Sequence, residues 1–85
     1  MKNIIESLAQ IEKVARGGDK AQVVLAIEAA RKELSGTKDE RLKQLDEELS
    51  TWQKKSDVIL KEPAGRQGMV KHIRHWVTSL REESQ

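Results

Sequence analysis

The chain has 85 residues, with 16 basic and 14 acidic side chains, two histidines and a formal net charge of +2. That length points to one domain, and the near balance of charge is not the concentrated basic face that non-specific nucleic-acid binding needs. Cysteine is absent, which excludes disulfides, thiolate metal sites and a cysteine nucleophile and fits a reducing compartment.

Large apolar residues number about two dozen, mostly Leu, Ile and Val. They suffice for one core between helices and not for two. Phe and Tyr are missing, Trp52 and Trp76 are the aromatic residues, and there is a single proline. Strands favour aromatic and β-branched residues; this composition favours Ala, Leu, Glu, Lys, Gln and Arg, the strong helix formers. The expected fold class is therefore all-α. Glu6 and Glu12 interrupt any apolar run after Met1, so no secretion signal is expected. No stretch is apolar for long enough to cross a bilayer, and the expected location is the cytoplasm.

The first helix is predicted over about 3–16. Ile4, Leu8, Ile11 and Ala15 recur at three- and four-residue steps, the spacing of one helical face. Gly17 and Gly18 are expected to end it with a left-handed cap. Asp19 then opens a second helix, about 20–35, with Gln22 completing a capping-box-like pair. Val23, Ile27, Ala30 and Leu34 form its main stripe. Val24, Leu25, Ala26 and Ala29 widen the apolar surface, as in a helix packed on more than one side.

Ser35 and Gly36 stop that helix, and Thr37-Lys38-Asp39-Glu40 reads as a capping box for the third, about 38–61. Leu42, Leu45, Leu49, Trp52, Ser56 and Ile59 follow a seam of alternating three- and four-residue steps, too short for a true coiled coil. This helix is expected to be the longest element. Pro63 ends it, because the residue before proline avoids the helical region. The fourth helix is expected over about 66–82, with Met69, Ile73, Trp76, Val77 and Leu80 on its apolar face and a polar tail at 83–85. The alternative makes Pro63 its first residue, with both glycines in the opening turns. Glu12–Arg16, Glu28–Lys32, Asp39–Lys43 and Asp57–Lys61 are acid-to-base pairs four apart, in the favourable orientation. There is no internal repeat.

The architecture this implies is a small antiparallel bundle of four helices in a single domain, since short connections favour antiparallel neighbours. A three-helix core with a loosely docked first helix is the alternative.

Few residues carry chemistry. His72 and His75 are three apart, a spacing that can serve a metal, but no third histidine or cysteine exists to join them. A flanking and an exposed histidine are the plainer reading, and no metal or cofactor is expected. The stretch 66–75 holds Arg66, Lys71, Arg74, His72 and His75 and no acid. A glycine-rich segment entering a helix can bind an anion, although neither the Gly-Lys-Ser/Thr ending of a phosphate-binding loop nor a preceding strand is present. Arg66, Lys71, Arg74 and His75 are the candidate anion or nucleic-acid contacts.

Leu25 and Val58 fall on the wrong side of their helices. Leu25 joins Ala21, Ala26 and Ala29 in a second apolar patch, where small residues let another helix approach closely. The candidate protein interface is therefore Leu25, Ala29, Leu49 and Trp52. No nucleophile motif, carboxylate pair or histidine-supported serine can be picked out, so no catalytic residue is assigned and no enzyme is expected. The leading expectation is a non-enzymatic protein–protein interaction module that forms a homodimer. The alternative is an anion or nucleic-acid binder using 66–75. No membrane association is expected.

Overall fold

A computed structural model describes residues 2–84, and the side chains of residues 4–83. The described residues form five helices and no strand: α1 (Lys2–Gly17), α2 (Lys20–Leu34), α3 (Glu40–Lys54), the single turn α4 (Ser56–Ile59) and α5 (Pro63–Ser84). The all-α bundle expected from composition is what the chain forms. No helix among the described residues is long and apolar enough to cross a membrane.

The first helix runs one residue further than expected. Neither Gly17 nor Gly18 adopts a positive φ, so the left-handed cap is not used. Gly18 instead stays close to the helix end, its N–H donating to the Val14 carbonyl at 2.6 Å. A Cβ there would meet Gln22 Oε1 at 2.6 Å and Val14 O at 2.7 Å, so crowding is what calls for glycine. Asp19 then caps α2 as expected: its carboxylate accepts the Gln22 N–H at 2.9 Å, and the Gln22 side chain accepts the Asp19 N–H at 3.1 Å. This reciprocal box satisfies two donors that a helix start otherwise leaves open. Gly36, at φ 81°, provides the left-handed residue after α2.

The start of α3 is corrected by two residues. Asp39, not Thr37, is the cap, accepting the Arg41 N–H at 2.9 Å. Thr37 Oγ1 accepts the Asp39 N–H instead. The larger correction is at the other end. The expected helix over 38–61 stops at Lys54, where Lys55 takes φ −102° and ψ 16°. The break leaves the Gln53 carbonyl to the Ser56 hydroxyl, which donates to it at 3.1 Å while buried. A side chain entering the backbone ladder in this way accounts for a kink. The chain then turns through α4, placing Leu60 in the core.

At Pro63 the alternative is what the chain adopts. Pro63 is the first residue of α5, the position where its missing N–H costs nothing. With 22 residues α5 is the longest helix. At about 1.5 Å per residue it is roughly 33 Å long, comparable with the 35 Å long dimension of the molecule. Residues 83 and 84 of the expected polar tail belong to this helix, and Gln85 lies outside the described residues.

Helix α1 packs against both α2 and α5, with Leu8, Ile11 and Ala15 fully excluded from solvent. A loosely docked first helix is therefore ruled out: its stripe is common ground for two neighbours. Helix α2 packs in turn on α3, joined by Arg31 to Asp46 at 3.0 Å and to Gln53 at 3.1 Å. By contrast, among the described residues no Cα of α3 comes within 8 Å of one in α5. Long side chains bridge that gap. The seam residues Leu42, Leu45 and Leu49 all lie in the core of the single chain, so the seam is consumed by folding.

Two glycines in α5 have opposite requirements. A Cβ on Gly65 would land on the Ile59 carbonyl, whereas one on Gly68 would meet nothing within 4 Å. Gly65→Ala should therefore destabilise the fold by about 1–3 kcal/mol through forced backbone displacement. Gly68→Ala should stabilise it by about 0.5–1 kcal/mol, since alanine suits a helix interior better than glycine. Urea midpoints of the two variants should move in opposite directions.

Candidate functional site

The basic stretch opens α5, and its residues do not share one fate. Gln67, Val70, Lys71 and Arg74 are three and four apart, which brings them to one side of the helix. That side borders an open groove of about 510 Å³ between α5 and the end of α1, where Ala15 and Arg16 complete the wall. His75 is exposed and lies off the groove. Arg16 was not a sequence candidate. It comes from a helix distant in the chain, and no local pattern connects it to Lys71.

Arg66 lines the groove but is already engaged. Its Nε–H donates to the Leu60 carbonyl at 3.2 Å, and Nη1 donates to the carbonyls of Ala15 and Gly18 at 3.0 and 2.9 Å. Ala15 lies in the last turn of α1, whose carbonyls have no partner within the helix. A guanidinium there satisfies them and opposes the negative end of the helix dipole. Arg66 thus ties α5 to the ends of α1 and α4.

Arg74 Nε donates to Glu12 Oε1 at 3.1 Å, and Arg16 Nη2 lies 3.6 Å from Glu12 Oε2. One carboxylate is therefore shared by two guanidinium groups. Lys71 is exposed and makes no ion pair among the described residues. The groove gathers four positive side chains, and Glu12 is paired with two of them.

A second constellation sits where α3 faces α5. Glu48 accepts the Trp76 indole N–H through Oε2 at 2.6 Å, and its Oε1 lies 3.0 Å from His72 Nε2. The Trp52 ring meets the His72 ring edge-on at 5.6 Å. The Arg41 guanidinium lies 5.8 Å from the centre of the Trp76 ring, within cation–π range, and pairs with Glu83. Trp76 is buried, Trp52 is half-buried and His72 is exposed. Glu48 thus places His72 beside Trp52, and His75 takes no part in it. Among the described residues no group of three or more His, Cys, Asp or Glu is placed to hold a metal ion.

The four interface candidates are scattered. Leu25 is 65% exposed, with Ala21 and Ala29 exposed one turn to either side. Leu49 is fully buried in the core, and Trp52 lies at the α3–α5 seam. Leu49 therefore has no surface to offer a partner in this fold. Val58 is 73% exposed on α4. Of the helical charge pairs, Glu12–Arg16 forms. Asp57 pairs across the fold with Lys20, Lys43 with Glu40, and Glu28 accepts from Gln53. For Asp57 and Glu28 a tertiary neighbour displaced the local partner, and for Lys43 another residue of the same helix did, because the contribution of an exposed pair along a helix is only about 0.2–0.5 kcal/mol.

No family model, no curated protein and no solved structure matches this chain.

Glu48 is the polar link of greatest consequence at the seam. Glu48→Ala should lower stability by about 1–2 kcal/mol, because the partly buried Trp76 indole N–H loses its acceptor. Glu48→Gln, which keeps a carbonyl oxygen, should recover much of that. Tryptophan fluorescence followed through urea unfolding would measure both.

Proposed function

We propose that this chain is a non-enzymatic helical interaction module that associates with a second copy of itself through the outer face of α2. One observation carries the reading. Leu25 stands 65% exposed at the middle of that face, with Ala21 and Ala29 exposed a turn on either side. A leucine side chain left in water forgoes roughly 1.5–3 kcal/mol that burial would supply. The alanines leave a low surface along which another helix can come close, and an isologous pairing would cover the same strip on both copies.

The reading rests on α2 alone. Leu42, Leu45 and Leu49 do not contribute, since they are buried within one chain. Small domains have little stability to spare, and self-association is a common supplement.

Sedimentation of the wild-type chain should show a dimer at micromolar concentration, and Leu25→Glu should shift it to monomer. Because Leu25 touches solvent, the variant should retain its fold with stability within about 0.5 kcal/mol. A wild-type chain that stays monomeric at high micromolar concentration would overturn the proposal.

A further inference from the structure

The groove between the end of α1 and the first turns of α5 has no part in the α2 contact. We propose that it is a phosphate site, taking a multiply charged oligophosphate or phosphodiester group. Arg16, Lys71 and Arg74 contact the phosphate oxygens, Arg66 acts as a fixed donor behind them, and Glu12 is the counterion that the ligand replaces.

Charge concentration is the first support. The whole chain carries +2, yet this groove alone brings together Arg16, Arg66, Lys71 and Arg74. Glu12 is the acid bound to them, through Arg16 and Arg74. Four of the 16 cationic side chains thus line one concave place, where like charges repel and a bound anion relieves the repulsion. A single carboxylate offsets one of the four charges. A group with several negative oxygens matches the remainder better.

Preorganisation is the second support. Arg66 is half-buried and held by three backbone carbonyls through Nε and Nη1. Its Nη2 has no partner among the described residues. A guanidinium fixed in this way gives up little side-chain freedom on meeting an oxyanion, and its planar fork suits phosphate oxygens. Arg74 and Arg16 are likewise already drawn toward a common oxyanion, the Glu12 carboxylate. The site holds a carboxylate where a phosphate would sit between the same two residues.

The test titrates the intact protein with sodium tripolyphosphate, and separately with a short DNA duplex, by calorimetry at low and moderate salt. Tripolyphosphate should bind at low salt and weaken as salt rises. The double variant Lys71→Ala/Arg74→Ala should lose about tenfold or more in affinity, the usual effect of removing charge-assisted hydrogen bonds. Glu12→Gln should bind more tightly than wild type, because it frees Arg16 and Arg74. That gain cannot come from a damaged fold. Circular dichroism melting should show both variants folded, as Lys71 and Arg74 are exposed. Duplex binding with the same residue dependence, in competition with tripolyphosphate, would identify nucleic acid as the source of the phosphate. Binding of tripolyphosphate without the duplex would identify a small oligophosphate. No binding of either at low salt, an affinity indifferent to the double variant, or Glu12→Gln binding no tighter than wild type would overturn the assignment. None of these outcomes bears on the oligomeric state, so this site and the α2 contact fail or stand separately.

Discussion

The burial of one narrow apolar stripe organises the molecule. With about two dozen large apolar residues, the chain can fill a single shared interior, and the stripe of Leu8, Ile11 and Ala15 on α1 lies at its centre, fully removed from water. Both α2 and α5 pack on that helix. At roughly 25 cal/mol per Å² of apolar surface removed from water, no surface ion pair in the structure competes with this term. Ala15 adds a geometric condition. It sits where α1 meets the start of α5, and its carbonyl accepts from the Arg66 guanidinium. Burial thus brings the two helices together, and a polar tie aligns their ends.

That arrangement decides what happens at the far side. Helix α3 packs on α2, and among the described residues none of its Cα atoms comes within 8 Å of one in α5. The space between them is spanned by Glu48, Trp76, His72 and Arg41 rather than by interlocked small residues. Such contacts are directional, partly solvated and worth less than core burial. The bundle therefore has three sides of unequal construction: two closed by apolar packing around α1 and α2, and one closed by long polar and aromatic side chains. The kink at Lys55 belongs to the same economy of space, since it lets Leu60 reach the core.

Surface chemistry follows from where these helices end. The last turn of α1 and the opening turns of α5 lie side by side, so cations from opposite parts of the chain line one groove. Arg66 has a dual position there, structural through the carbonyls it satisfies and electrostatic through the charge it fixes. On α2 the opposite holds: Leu25, Ala21 and Ala29 are exposed. One surface is charged and concave, the other apolar and exposed.

Local chemistry was enough to determine much of this protein. The all-α class, the stripes of α1, α2 and α5, the Asp19–Gln22 box and the exposure of Leu25 and Val58 all follow from residue type and short-range spacing, which act within one or two turns. Even the break in α3 left a trace, because Ser56 is the polar member of an otherwise apolar seam. Its consequence was not legible. Whether a serine bends a helix depends on whether folding gains by turning there, and that is set by Leu60 finding the core. Pro63 is compatible with an end or a beginning for the same reason. Only the tertiary structure decided that Leu49 is interior, that Arg66 serves carbonyls, and that Arg16 and Glu12 stand with Lys71 and Arg74. Those residues are separated by more than fifty positions, and no periodicity along a chain encodes which helix ends will meet once a shared core has drawn them together.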